Sequence, residues 1–388
     1  MSVIGARLWR IALPLETVYV SSMYLTLQTQ RTVIELRTEG GIVGWGETLG
    51  NEACFALACA QAKARLGRDP ADRRSPPFAR SAFDNRDGRN GWAAHAGIDL
   101  ALWDIAGKRL GLGLCEMIGG AVRREIDLAC PLPAAMFDAV VPRTALAAHM
   151  ADLGNVKRVV DYALGQRARH GFGAFKYKSA GLSAEWDFQA MSELRAALGS
   201  EVALRFDPNA AYPVPDAIAL CRRMEPLALE FYEDPADGLE GLAAVRARVG
   251  RPVATNMALI QPEHLAPAVR RGAVDVVLAD IFLWGGIDGW CGIAAAAEAF
   301  GLEVAVHGFY ETGIATACNL HLAAAHPNLR RASDCGLHQL AADVTVGPRP
   351  EIVAGRMALP AGPGLGVALD RDRIERYVLA EAKFGQID

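Results

Sequence analysis

Residues 202–233 read VALRFDPNAAYPVPDAIALCRRMEPLALEFYE. Two apolar runs, 202–207 and 228–233, each end on an acidic residue, Asp207 and Glu233, and a helical pattern at 215–224 lies between them. A strand, a helix and another strand in so short a span imply a parallel pair with the helix packed across it. Outward from this unit the pattern repeats. Short β-branched or apolar runs occur at 174–178, 252–256, 274–280, 303–307 and 329–334, with helical segments at 183–198, 262–271 and 288–300. With a first strand at 126–130, these runs suit a closed (β/α)7β TIM-like barrel better than an open sheet. A doubly wound sheet would want a Gly-rich loop after its first strand, and none of these strand ends supplies GxGxxG.

The residues that terminate the runs carry the functional argument. Lys178, Asp207, Glu233, Asn256, Asp280, His307 and Asp334 are separated by 29, 26, 23, 24, 27 and 27 residues, about one strand–helix unit each. In a barrel the C-terminal strand ends form one rim, so seven polar side chains are expected at one mouth. Asp207, Glu233 and Asn256 offer three oxygen donors on consecutive strands and no imidazole or thiolate, a set that suits Mg²⁺ better than zinc. Lys176 and Lys178 stand two apart on one strand and so share a face, here the barrel interior. Their repulsion and burial are expected to lower at least one pKa toward the range of a general base. His307 ends a strand on the far side, and Asp280 ends the strand before it, where a carboxylate can hold the imidazole tautomer and raise its basicity.

The first part of the chain has a different texture, α+β. Strands are expected at 5–15, 32–37 and 42–47, the last two joined by a turn at Glu39-Gly40-Gly41, and helices at 53–66 and 93–110. The chain of 388 residues is 52% hydrophobic and 22% charged with a net charge of −4, the balance of a globular protein with a large core. No basic run points to nucleic acid, and the longest apolar stretches are too short to span a bilayer. The N-terminus has no charged region followed by a long apolar one, so no signal peptide is read there. Eight scattered cysteines with no CxxC pair indicate reduced, buried thiols in a cytoplasmic protein.

Six stretches together resemble the enolase superfamily, of the mandelate racemase/muconate lactonizing enzyme type, and most of all its glucarate dehydratase subgroup. They are Phe175-Lys176-Tyr177-Lys178, Phe206-Asp207-Pro208-Asn209, Tyr232-Glu233-Asp234-Pro235, Ala254-Thr255-Asn256-Met257, Leu278-Ala279-Asp280 and Val306-His307. Asn256 points to the subgroup, because most relatives carry an acidic third metal ligand and the subgroup carries Asn. Residues 91–120 are similar to the long helix of the family's capping domain, and 362–367 to its end-of-barrel segment.

The resemblance implies a capping domain over residues 1–123, joined by a C-terminal segment from about 360 to 388, and a barrel over 124–359. It implies that Asp207, Glu233 and Asn256 bind Mg²⁺, that Lys178 moves a proton on one face of the substrate, and that the His307–Asp280 dyad serves the other. Lys176 would lower the pKa of Lys178 and contact the substrate carboxylate, and Asn209 would hydrogen-bond the lysine or the substrate. The implied activity is an acid-sugar dehydratase that abstracts the proton α to a carboxylate and expels the β-hydroxyl through a metal-stabilised enediolate. The alternatives are a 2-hydroxy-acid or acid-sugar racemase or epimerase using the same bases, and a catalytically silent paralogue. The partner would be a small carboxylate, an acid sugar or hydroxy acid, and the chain a homo-oligomer. The specificity elements depart from those of glucarate enzymes at 19–24 and 308–312. Tyr19, Ser22, Tyr310 and Glu311 are the candidates there for substrate contact, although the start of the next helix is the preferred reading of Tyr310 and Glu311.

Overall fold

The parallel core of the computed structural model, which describes residues 1–73 and 87–387, closes into a barrel. Before it come β1 (Val3–Val20), β2 (Leu25–Thr38) and β3 (Val43–Leu49). The barrel strands are β4 (Glu125–Leu132), β5 (Ala174–Lys178), β6 (Ala203–Asp207), β7 (Phe231–Glu233), β8 (Val253–Thr255), β9 (Val276–Ala279), β10 (Glu303–Val306) and β11 (Ser333–Asp334). They pair in parallel in the order β10-β9-β8-β7-β6-β5-β4-β11, and a bridge between Val304 and Leu329 joins the two ends. A helix follows each strand from β4 to β10, whereas only a short 3₁₀ turn, Leu337–Gln339, lies between β11 and the next strand, which is the (β/α)7β pattern. The observed strands are shorter than the apolar runs. At 228–233, Ala228 sits at φ +51° after a 3₁₀ turn over Glu225–Leu227, so the extended backbone begins only at Phe231.

Side-chain alternation explains the rim. Phe231, Ala254, Val276, Leu278 and Ala305 form a small buried cluster of their own inside the barrel. Glu233, Asn256, Asp280 and His307 each stand two residues beyond a member of that cluster, so they share its inward face one layer higher. On β5 the inward pair is Lys176 and Lys178. The intervening Tyr177 points out to the helix Ala184–Leu198, where its hydroxyl donates to Asp187 Oδ1 at 2.9 Å.

The N-terminal strands and β13 (Val378–Gly385) form an antiparallel sheet in the order β13-β1-β2-β3, with Gly5 opposite Gly385; β12 (Arg356–Ala358) pairs β4. Helices α1 (Glu52–Arg65) and α2 (Asp87–Leu110) pack with this sheet. Asp104 on α2 accepts from the backbone of Trp45 at 2.9 Å and of Leu365 at 2.9 Å, tying sheet, helix and C-terminal segment together. Gly364, at φ +71°, lies so close that a β-carbon there would meet the Asp104 carboxylate at 2.1 Å. The bend at 21–24 reaches the barrel rim, where Ser22 donates through its backbone to Ser179 O at 2.7 Å and through Oγ to Pro208 O at 3.0 Å. Among the described residues no helix is long and apolar enough to cross a membrane.

Candidate active site

The rim gathers a buried network of opposite charges. Lys176 Nζ lies 3.2 Å from Glu233 Oε1 and also bonds Asp334 Oδ2. Lys178 Nζ bonds Asp207 Oδ2 and stands 4.0 Å from Glu233 Oε1. Arg205, two residues before Asp207 on β6, donates to Asp334 Oδ1 at 3.0 Å and to Glu230 Oε2 at 2.6 Å, with its guanidinium over the Phe231 ring. Such pairs offset the large cost of taking ions from water. The lysines do not behave as their spacing suggests. Burial opposes their charge, but Asp334 and Glu233 beside Lys176, and Asp207 and Glu233 beside Lys178, outweigh it and raise both pKa values. The carboxylates supplied by neighbouring strands override the repulsion between the two ammonium groups.

The oxygen donors have unmet capacity. Glu233 Oε2 and Asn256 Oδ1 are buried and accept no hydrogen bond. Burial and the neighbouring Asp207 push the Glu233 carboxyl well above its usual range. Asp207 is held low: burial alone would raise it, but Lys178 and Lys176 prevail. Two orphaned acceptors beside a third carboxylate are what a hard divalent cation would satisfy, so the donor set fits Mg²⁺. No three His, Cys, Asp or Glu side chains among the described residues are arranged to hold an ion; the third donor here is an amide oxygen. Asp234, at φ +37°, accepts from the Asn256 backbone at 2.9 Å and from the Thr255 hydroxyl, and so fixes the strand end that presents Asn256. The motif contained Asp234, but its lateral role depends on a positive φ that its letter does not announce.

Across the barrel, His307 Nδ1 lies 2.8 Å from Asp280 Oδ2, and Nε2 lies 3.1 Å from Asn256 Nδ2. Asp280 also accepts from the backbone of Phe282 at 2.8 Å and Leu283 at 3.1 Å; burial would raise its pKa, but His307 first and these amides after it bring it below the usual value. Burial and the Lys176 ammonium push the His307 pKa down despite Asp280, leaving the imidazole neutral.

A cavity of about 380 Å³ opens above this layer and is lined by Lys178, Asn209, Asn256, Asp280 and His307 from the barrel. Asn209, at φ +50°, turns back onto Asp207: its backbone donates to Oδ1 at 2.8 Å and Nδ2 to Oδ2 at 3.3 Å, so its partner is the carboxylate rather than the lysine. Tyr19 and Glu311 line the cavity. Ser22 and Tyr310 do not. Ser22 is spent on Pro208, and Tyr310 is buried with its ring against Tyr19. The following helix, Gly313–Ala325, starts after a Thr312 cap, so neither Tyr310 nor Glu311 belongs to it; Glu311 accepts from the Phe309 backbone at 2.6 Å. Arg31 and Arg89 also line the cavity, and no strand-end pattern marks them because they come from the N-terminal part of the chain. A larger cavity of about 510 Å³, around Trp92, Ile260 and Trp284, contains none of the strand-end residues, so convergence of polar groups rather than size locates the site.

Fold and rim together define a barrel enzyme of the enolase class. Family comparison agrees: residues 4–119 match the mandelate racemase/muconate lactonizing enzyme N-terminal domain and residues 158–373 the enolase C-terminal domain-like family, and the chain belongs to this superfamily. It is 31% identical over 89% of its length to a Streptomyces coelicolor protein named "Probable glucarate dehydratase", of which the match covers 84%. It is 28% identical to a D-galactarolactone cycloisomerase of Agrobacterium fabrum, covering 94% of this chain and 95% of that one. A solved enolase from Thermobispora bispora, complexed with magnesium and formate, is similar with a TM-score of 0.86 at 29% identity, covering 97% of this chain and 92% of the other.

Proposed function

We propose that the chain is a Mg²⁺-dependent acid-sugar dehydratase. The observation that carries this reading is the placement of Lys178 and the His307–Asp280 pair on different sides of one cavity, with the Asp207, Glu233 and Asn256 oxygens on the arc between them. These three residues would hold the ion, which when bound supplies Lewis-acid polarisation of the substrate carboxylate. The neutral His307 imidazole is the group ready to take an α-proton on its face, and the Lys178 ammonium holds a proton on the other face; Lys178 acts as a base only after it has lost that proton. Lys176, held by Asp334 and Glu233, keeps an ammonium at the floor where enediolate charge develops. With His307 as the base, the Lys178 ammonium gives its proton to the β-hydroxyl, which leaves as water, and the enol left behind tautomerises to a 2-keto-3-deoxy acid.

The same pair of bases would allow epimerisation, since a proton taken from one face can be returned on the other. Product chemistry separates the two, because only the dehydratase yields a keto acid that semicarbazide traps. A silent paralogue is disfavoured by the buried charges, which are costly to keep without use. The test is a semicarbazide screen of mono- and diacid sugars with Mg²⁺. Turnover of one acid, lowered about 10²–10⁴-fold in Lys178→Ala and in His307→Ala, supports dehydration. Absence of both turnover and α-deuterium exchange across the library would reject it.

A further inference from the structure

Another cavity, of about 260 Å³, opens at the N-terminal face of the barrel and shares no residue with the one at the strand ends. Ile126 and Asp127 reach it from the start of β4, and Arg330 and Arg331 from the segment that leads into β11. Three guanidinium groups, those of Arg123, Arg330 and Arg331, and the hydroxyl of Ser333 line it. Arg123 donates through Nη1 to Ala323 O and, at 2.9 Å, to His326 O. It thereby caps the carbonyl end of the helix Gly313–Ala325, whose dipole would otherwise disfavour an anion there. Arg331 gives Nε to Glu303 at 2.7 Å and Nη1 to Glu230 at 3.2 Å, which leaves Nη2 for a ligand. Arg330 is exposed and enters no ion pair among the described residues. Asp334 points into the barrel toward Lys176, so Ser333, one residue before it, faces the other way. Ser333 is 3% exposed, and its Oγ is buried without a hydrogen-bond partner.

The acidic group on the wall is Asp127. Its Oδ1 accepts from Arg356 Nε at 2.6 Å, and it makes no ion pair with Arg123 although it acts on it through space. The charges of Arg330 and Arg123 are therefore not answered by a bonded carboxylate, and an orphaned hydroxyl stands beside them. Such a pocket attracts an anion, and an unmet buried hydroxyl is costly until a ligand accepts from it. A carboxylate is planar and saturates one guanidinium fork, whereas the tetrahedral oxygens of a phosphate take donors from several directions. The volume lies just below the ~300 Å³ at which pockets for larger ligands begin, room for a phosphate and a short stem but not a nucleotide. We propose that this pocket binds a phosphate group, carried by inorganic phosphate or a small phosphomonoester. The exposed Arg330 side chain folds onto the anion, Ser333 donates from beneath, and Arg123 and Arg331 flank it. The inference is independent of the reaction at the opposite mouth.

Isothermal titration calorimetry on the full chain tests it, without Mg²⁺ and at fixed ionic strength in chloride. The titrants are inorganic phosphate, glycerol 3-phosphate and acetate. Saturable binding of one phosphate per chain is expected, with acetate much weaker. Arg330→Gln and Ser333→Ala should each weaken phosphate binding roughly tenfold, the loss of one charge-assisted hydrogen bond, while melting like wild type. His307→Ala, altered at the other mouth, should bind phosphate as wild type does. Whichever of free phosphate and the ester binds more tightly identifies the source of the group, and either result supports the site. Absence of saturable binding by both phosphates would overturn the inference, as would acetate binding as tightly as phosphate. So would an affinity unchanged in both Arg330→Gln and Ser333→Ala, or one lost in His307→Ala, which would place the anion among the strand-end residues instead.

Discussion

Asp280 receives its three hydrogen bonds from two directions, the imidazole of His307 and the backbone amides of Phe282 and Leu283. This arrangement makes His307 donate Nδ1–H and turn Nε2 toward the cavity as the proton acceptor. Asp280→Asn would keep the shape but can stabilise the opposite tautomer. It should lower kcat about 10²–10⁴-fold for substrates whose α-proton faces His307, and spare α-deuterium exchange on the Lys178 face; equal loss on both faces would contradict the assignment. At this scale the sequence was informative wherever function coincides with strand phase. Lys178, Asp207, Glu233 and His307 could be placed at strand ends by counting. Their charge states could not, because the carboxylates that raise the lysine pKa values lie 57 and 158 residues from Lys176. Arg31 stayed hidden for a related reason: on a strand of alternating polar residues it reads as a solvated side chain, and only the approach of the barrel rim buries it.

One helix shows how elements cooperate. Gly313–Ala325 is buried at every position, so no polar stripe marks it in the sequence, and it is capped from another sheet. Glu47 on β3 accepts from Thr312 N at 2.9 Å, Thr312 Oγ1 at 2.6 Å and Ala315 N at 2.9 Å. Burial lifts the Glu47 pKa from 4.5 to about 7, with Arg31 and the helix amides opposing the shift. Between these two values the folded chain retains a proton that the unfolded chain releases. The stabilisation is therefore full below about pH 4.5 and is lost as the pH rises through 7, by an amount on the order of 3 kcal/mol. Urea unfolding at pH 5 and pH 8 should show a smaller loss in Glu47→Gln than in wild type. Asp99 and Asp234, also lifted to about 7, contribute alike to both proteins and cancel in the difference. Tyr177→Phe should cost about 1 kcal/mol in the same assay by removing the bond that ties β5 to the next helix. The barrel helices and strands themselves were legible because period and spacing repeat; their ends were not, since a positive φ such as that of Ala228 leaves no reliable mark in the letters.

For the molecule as a whole, the orphaned oxygens of Glu233 and Asn256 predict a stability response as well as an activity. Mg²⁺ at 100 times its Kd should add about 2.7 kcal/mol and raise the melting temperature by a few degrees. EDTA should reverse the shift, and Asn256→Leu should abolish it; a shift that persists in Asn256→Leu would place the ion elsewhere. The antiparallel sheet over the mouth has a further consequence for how the enzyme comes into being. Its outer strand, β13, pairs with β1, although the two lie at opposite ends of the sequence. On the ribosome β1 emerges early and waits tens of seconds for its neighbour. The barrel strands are all synthesised in that interval, so the rim of polar residues can form before β13 covers the outer edge of β1. Docking of β13 on the open edge of β1 is thus expected to be a late step of assembly, after the barrel and its rim of polar residues have formed.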